Sequence, residues 1–180
     1  MSAGCPSLRR AVCRLGLHVV GLTLAIAVLP ALGAGSPKVG EAAPALRVPD
    51  LSGHRIDLGA WRGKVVIVNF WATWCTPCRA EMPALEAVYQ RHRTGGLELI
   101  GLSVDDEHDL NDVKKVMSRF SYPAAMLSAA QVNGFGMPAA VPLTYVIDGT
   151  GVIRARLIAG GTAGVSEQML EKTVLPLLQK

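Results

Sequence analysis

Residues 65–71 constrain the fold of this chain more than any other segment, because they form the short apolar run Val-Val-Ile-Val-Asn-Phe-Trp. β-Branched and aromatic residues favour strands, and a nearly continuous apolar run is typical of a strand that is covered on both faces. A helical pattern of apolar residues begins a few positions later. The sequence therefore predicts a buried strand that leads directly into a helix, inside a layered domain.

Strand and helix patterns alternate along the rest of the chain. The predicted strands are 46–50 and 55–58, paired as a hairpin, and 97–104, 124–127, 143–147 and 152–159, whereas the predicted helices are 75–92, 109–120 and 165–179. A short helix or turn is expected near 129–135, a kink is expected at Pro83, and a kink or an end is expected near Pro176. Early β-α-β units give parallel strands, and a late hairpin adds an antiparallel edge. The predicted class is α/β, with a central mixed sheet flanked by helices.

The N-terminal 35 residues have the pattern of an export segment. Residues 1–14 carry three arginines and no acidic residue, residues 15–32 form an apolar run, and small residues follow at 33–36. This order is typical of a secretory signal peptide, while the length of the run also approaches that of a membrane-spanning helix. The sequence predicts either a cleaved signal peptide or an N-terminal membrane anchor through residues 15–32. Both interpretations place residues 36–180 outside the cytoplasm.

Charge and cysteine content direct attention to the part of the chain after the export segment. The chain has 18 Lys and Arg against 14 Asp and Glu, and three arginines and no acidic residues precede residue 34, which leaves 15 against 14. This near-neutral balance gives no argument for a nucleic-acid partner. Cys5 and Cys13 lie in the export segment, so only Cys75 and Cys78 remain. A pair this close closes too short a loop to stabilise a fold, which indicates a chemical role.

Cys75-Thr76-Pro77-Cys78 stands at the predicted junction between the buried strand and its helix. The unpaired N–H groups and the dipole of a helix N-terminus lower the pKa of a cysteine thiol, and the thiolate is the reactive form. Cys78 lies one turn further on, within reach of a disulfide, and Pro77 suits a first helical turn. The sequence predicts that Cys75 attacks a partner's disulfide and that Cys78 resolves the mixed disulfide, leaving both cysteines oxidised.

Residues 69–83, Asn-Phe-Trp-Ala-Thr-Trp-Cys-Thr-Pro-Cys-Arg-Ala-Glu-Met-Pro, resemble the exported thioredoxin-like proteins of the TlpA/ResA group, which includes CcmG. The resemblance implies a thioredoxin fold for residues 36–180, with an N-terminal β-hairpin and a central insertion. It also implies a partly exposed nucleophile at Cys75, a resolving cysteine at Cys78 and a cis-proline that faces them. Residues 140–148 are similar to the family's corresponding segment, which assigns the cis-proline to Pro142.

Further site residues follow from the same resemblance. Glu81 matches a glutamate near the site in this group, with a proposed role in tuning the cysteines or relaying their protons. The alternative for Glu81 is a solvated glutamate on the helix surface. Asn69 stands where thioredoxin itself has a buried aspartate, and an amide accepts no proton, which directs the acid–base role to Glu81. The residues expected to contact a partner protein are Trp74, Thr76, Pro77 and Val141.

The predicted activity is that of a periplasmic or otherwise extracytoplasmic thiol:disulfide oxidoreductase. It would reduce specific partner proteins, such as apocytochrome c or a copper-site protein, and the resemblance implies that a membrane thiol-transfer protein supplies the electrons. A disulfide-inserting oxidant uses the same residues, and a copper-binding module and a peroxidase are further alternatives. No cofactor and no metal are expected beyond the Cys75–Cys78 disulfide, since the sequence has neither a second cysteine pair nor finger-like histidine spacing. The carboxylates of residues 105–107 are expected in a solvated loop.

Overall fold

The computed structural model describes Met1, residues 36–158 and residues 164–179. Residues 2–35 of the predicted export segment therefore lie outside the described residues, as does the last residue of the predicted strand 152–159. The described elements are, in chain order, β1 (Leu46–Pro49), β2 (Arg55–Asp57), β3 (Val65–Trp71), α1 (Thr76–His92), β4 (Leu97–Ser103), α2 (Leu110–Met117), β5 (Ala124–Met126), β6 (Val132–Asn133), β7 (Leu143–Ile147), β8 (Ile153–Ile158) and α3 (Glu167–Leu178). Within these ranges, every helix is too short or too polar to cross a membrane.

Five strands form the central sheet, in the order β5-β4-β3-β7-β8. β3, β4 and β5 run parallel, whereas β7 pairs antiparallel with β3 and β8 pairs antiparallel with β7. β3 lies in the middle of this sheet and all seven of its residues are buried, as expected for its continuous apolar run. The mixed sheet that the sequence predicts is therefore present, with the parallel strands first and the antiparallel edge last.

Two layers cover the central sheet. On one face, Ile67 and Trp71 of β3 share a core with α1 and α3, to which Leu85 contributes. On the other face, Val68 and Phe70 pack against a small antiparallel sheet of order β2-β1-β6. Because side chains alternate along a strand, the odd-numbered positions of β3 face the helices. This alternation directs position 69 towards α1, where the site lies.

The third strand of the small sheet differs from the sequence prediction. Residues 129–135 were expected to form a helix or turn, but a 3-10 turn at Leu127–Ala129 is followed by β6, which pairs antiparallel with β1. β6 has only two residues, both half-buried. So short a strand carries no alternation that a sequence pattern can reveal, and pairing with β1 defines it.

The helix ends also differ in detail from the predicted ones. α2 ends at Met117 rather than at residue 120, because the chain turns there and the N–H of Phe120 bonds the carbonyl of Met117. α1 and α3 continue past Pro83 and Pro176. Neither proline therefore ends its helix.

Candidate active site

Cys75 and Cys78 form a disulfide at the N-terminus of α1, with 5.2 Å between their Cα atoms. Cys75 is the N-cap residue, and the N–H of Cys78 donates to the sulfur of Cys75 at 3.2 Å. Thr76 and Pro77 open the helix, where the missing N–H of proline leaves no intrahelical bond unmade. The sulfur of Cys75 therefore lies where the helix dipole and free N–H groups favour a thiolate.

The two cysteines differ in their access to solvent. Cys75 keeps an exposed fraction of 5%, less than the resemblance implies, and Cys78 has none. Trp74 is 67% exposed and Thr76 is also exposed, whereas Pro77 is half-buried. A partner protein therefore reaches the disulfide from the Cys75 side, where Trp74 and Thr76 provide the adjoining surface.

Pro142 immediately precedes β7, and the Val141–Pro142 peptide bond is cis. Pro142 is buried, and the half-buried Val141 packs against the cores on both faces of the sheet. β7 pairs with β3 so that Leu143 lies opposite Phe70. Phe70 is near the C-terminal end of β3, from which the chain continues to Cys75. This register therefore brings Pro142 to the same end of the sheet as the cysteine pair.

Glu81 is 1% exposed, so it is not a solvated surface glutamate. Its Oε1 accepts a hydrogen bond from Asn69 Nδ2 at 2.8 Å, and its Oε2 accepts one from the backbone N–H of Val165 at 2.8 Å. Burial raises the pKa of Glu81, and these two hydrogen bonds oppose that shift. A buried carboxyl group with a raised pKa is the kind of group that can exchange protons closer to neutral pH.

Asn69 connects Glu81 to β7. Its Nδ2 also donates to Thr144 Oγ1 at 2.9 Å, and both side chains are fully buried. Thr144 is a site residue that was not predicted from the sequence. The available signal was a single polar residue inside the apolar strand Leu-Thr-Tyr-Val-Ile, two positions after Pro142.

Gly164 and Val165 close the site from the segment that precedes α3. Gly164 has a φ of +69°, and a Cβ there would lie 2.6 Å from the Cβ of Glu81 and 2.9 Å from the carbonyl oxygen of Pro77. Only glycine allows the backbone to come this close, and the approach lets the Val165 N–H reach the Glu81 carboxylate. Neither residue was predicted from the sequence, where the available signal was the glycine-rich stretch 160–164.

Asp105 is buried, which corrects the expectation of a solvated loop. It is 4% exposed, and its carboxylate accepts hydrogen bonds from the N–H of Thr73 at 2.9 Å and from the hydroxyls of Thr73 and Ser103, both at 2.6 Å. Since β3 and β4 are parallel neighbours that end side by side, these bonds tie the loop before Cys75 to the loop after β4. The two carboxylates that follow are exposed, as predicted.

Potential metal ligands come together at one place among the described residues. Asp106, His108 and Asp109 have ligand atoms within 4.8 Å of one another, in the loop before α2. The cluster is largely exposed. Cys75 and Cys78, by contrast, are bonded to each other.

Known proteins provide an independent comparison with this arrangement. Residues 39–156 match the AhpC/TSA family. The chain belongs to this family. It is 33% identical over 137 residues to the thiol-disulfide oxidoreductase ResA of Bacillus anthracis, across 75% of this chain and 78% of the relative. It is 35% identical over 144 residues to the thiol:disulfide interchange protein HelX of Rhodobacter capsulatus, across 77% and 76%.

Solved structures agree with the fold. A thiol:disulfide interchange protein of the thioredoxin family from Chlorobium tepidum TLS superposes with a TM-score of 0.65 at 27% identity, covering 79% of this chain and 99% of that chain. The predicted thioredoxin-like α/β fold is confirmed. This member of the AhpC/TSA family is a thiol–disulfide oxidoreductase related to ResA and HelX.

Proposed function

We propose that this protein is an exported reductase that uses Cys75 and Cys78 to reduce disulfides in specific partner proteins. The observation that carries the proposal is a buried carboxyl group, Glu81, one helical turn beyond a disulfide in which the sulfur of Cys75 caps α1. The apolar run of residues 15–32 behind three arginines supports export, by signal cleavage or as an anchored protein. Apocytochrome c and copper-site proteins are the proposed substrates.

The reaction starts from the reduced enzyme. The Cys75 thiolate attacks one sulfur of the partner's disulfide, and the displaced partner sulfur leaves as a thiolate that takes a proton from water. Cys78 then gives its proton to the Glu81 carboxylate, and the resulting thiolate attacks the sulfur of Cys75. The second partner sulfur leaves, and two electrons have passed from the cysteine pair to the partner. A membrane thiol-transfer protein restores the reduced enzyme, and Glu81 returns its proton to solvent.

The surface around Cys75 is the proposed partner-binding site. Trp74 and Thr76 are exposed beside the N-cap, and Pro77 is half-buried in the first turn. The backbone at Val141 and Pro142 lies at the same end of the sheet, and it is proposed to pair with an extended segment of the partner. Such a surface would contact the backbone and a few side chains next to the partner's disulfide, so the enzyme could select a small set of substrates.

The reduction potential of the Cys75–Cys78 disulfide decides between a reductase and a disulfide-inserting oxidant. The full-length protein is equilibrated with mixtures of reduced and oxidised glutathione, and its redox state is measured by thiol alkylation. A potential near or below about −230 mV supports the reductase, since this is the reducing end of the thioredoxin-like range. A potential near roughly −120 mV is that of a strong oxidant and would overturn the proposed direction.

The substrate class is tested with a trapping variant. Cys78→Ser retains the nucleophile but lacks the resolving thiol, so it should accumulate a mixed disulfide with an oxidised Cys-x-x-Cys-His peptide, the haem-attachment motif of c-type cytochromes. Cys75→Ser is the matched control and should trap no peptide. Equal trapping of unrelated disulfide peptides would contradict substrate selection, and rapid consumption of hydrogen peroxide would favour a peroxidase instead.

A further inference from the structure

The amide of Asn69 uses both of its hydrogens inside the core. An asparagine side-chain nitrogen carries two N–H donors, and here one is directed to Glu81 Oε1 at 2.8 Å and the other to Thr144 Oγ1 at 2.9 Å. All three side chains are buried, on three different elements, α1, β3 and β7. Since the Thr144 oxygen accepts from Asn69, it keeps the donor end of the amide turned towards Glu81.

The other end of the amide has no such function. Asn69 Oδ1 is buried and makes no hydrogen bond within the described part of the chain. An unpaired buried oxygen destabilises a fold, and the other six residues of β3 are apolar. For packing alone, an apolar residue would therefore suit this position better. The presence of an amide here is explained by its Nδ2 group, which donates to Glu81 and Thr144.

We propose that Asn69, held in orientation by Thr144, is a positioning residue that fixes the Glu81 carboxylate where it accepts the proton of Cys78. The inference rests on the proposed function, because it assumes that Glu81 is the proton acceptor. The amide suits this role because it donates to a carboxylate without competing for the proton. An aspartate at position 69 would instead place two carboxyl groups at hydrogen-bond distance, where they would share one proton.

Several groups around Glu81 affect the titration of its carboxyl group. The second donor to its carboxylate is the backbone N–H of Val165, before α3. In the reduced protein, the thiols of Cys75 and Cys78 are titratable groups that precede Glu81 at the N-terminal end of α1. Across the core, burial raises the pKa of the Tyr122 phenol, and the negative charges of Glu86 and Glu81 raise it further. Removal of the Asn69 donor leaves all of these groups in place.

Direct titration of Glu81 provides the first test. The side-chain carboxyl carbon of Glu81 is followed by ¹³C NMR in the full-length oxidised protein, in which the cysteines do not titrate. Asn69→Leu removes the donor and should raise the titration midpoint by about one pH unit. Thr144→Val releases the amide and should shift it in the same direction by less, whereas Thr144→Ser keeps the hydroxyl and should restore the wild-type midpoint. An unchanged midpoint in both Asn69→Leu and Thr144→Val would overturn the proposal.

The reaction is then followed with the same variants. The rate at which Cys78 resolves a mixed disulfide is measured against pH, and the acid limb of the profile should move upwards in parallel with the NMR midpoint. Glu81→Gln should abolish that limb. A raised midpoint with an unmoved limb would overturn the acceptor role of Glu81 but support its placement by Asn69. Thermal unfolding shows whether Asn69→Leu is folded. If it is not, the comparison of Thr144→Val with Thr144→Ser tests the proposal instead.

Discussion

At the scale of single residues, the Asp105 carboxylate holds the loop that leads to the redox pair. Asp105→Ala leaves the N–H and hydroxyl of Thr73 and the hydroxyl of Ser103 without their partner. We expect a loss of about 2–4 kcal/mol in the free energy of unfolding, because hydrogen bonds to charged groups are among the stronger ones. Urea unfolding of the oxidised protein measures it. Asp106→Ala, at the exposed neighbouring residue, is the matched control and should change stability by less than about 0.5 kcal/mol.

Glu81 gives stability a pH dependence of definite sign. Burial raises its pKa in the folded protein, so its contribution to stability is complete below the unfolded pKa and is lost as the pH rises through the folded pKa. Glu81→Gln carries no charge to bury. The stability of this variant relative to wild type should therefore improve as the pH rises from about 4.5 to the folded pKa of Glu81, and should level off above it. Urea unfolding between pH 4 and 8 tests this, and a stability difference that is independent of pH would contradict it.

The residues of the site that are close together in sequence could be predicted, and those brought in from elsewhere could not. Cys75 and Cys78 are related by their spacing at the start of a predicted helix, and Glu81, one turn further on, was assigned through the family resemblance. Thr144 and Val165 enter through strand register and a close backbone approach, which a single sequence does not encode as a local pattern. Pro142 was assigned only because its surrounding segment resembles that of a known family.

At the scale of elements, the segment before α3 is fitted to α1 through Gly164. Gly164→Ala would place a methyl group 2.6 Å from the Cβ of Glu81, at a backbone with a φ of +69°. Gly136 has a φ of +71°, and a methyl group added there would have no atom within 4 Å, so Gly136→Ala isolates the backbone strain. We expect about 1 kcal/mol of destabilisation for Gly136→Ala and roughly 1–3 kcal/mol more for Gly164→Ala. Thermal unfolding compares them, and equal losses would show that the close approach to Glu81 is unimportant.

Elements with a strong pattern of their own were predicted well. β3 and β7 have the predicted bounds because each is a continuous apolar run inside the sheet. β6 was missed because two half-buried residues have no period, and its strand character comes from pairing with β1. The end of α2 was overestimated for a related reason, since the apolar period continues after the backbone has turned at Met117.

At the scale of the whole molecule, the chain enters the sheet far from the disulfide. The N–H of Gly40 bonds the carbonyl of Ile153, and Ile153 pairs with Ile147, which lies opposite Val66. Val66 precedes the redox end of β3, Trp71, by five residues, about 17 Å at the rise of a strand. A partner that approaches Cys75 therefore meets the opposite end of the sheet from the one where residues 40–43 join it.

The redox state should also change the stability of the whole domain. Folding and reduction are linked in one thermodynamic cycle. If the reduction potential of the disulfide is lower in the folded protein than in the unfolded chain, the oxidised protein is more stable than the reduced one. The difference in stability is about 1.4 kcal/mol for each 30 mV between the two potentials. A strong oxidant shows the reverse order, because its reduced form is the stabilised one. The proposed reductase direction therefore predicts that the oxidised domain is the more stable one.

Urea unfolding of the full-length protein with and without dithiothreitol measures this difference. We expect the midpoint to fall on reduction. The double variant Cys75→Ser, Cys78→Ser should unfold at the same urea concentration in both conditions, which separates the effect of the disulfide from any effect of the reductant. A midpoint that rises on reduction would mean that folding stabilises the dithiol, and the protein would then insert disulfides into its partners rather than remove them.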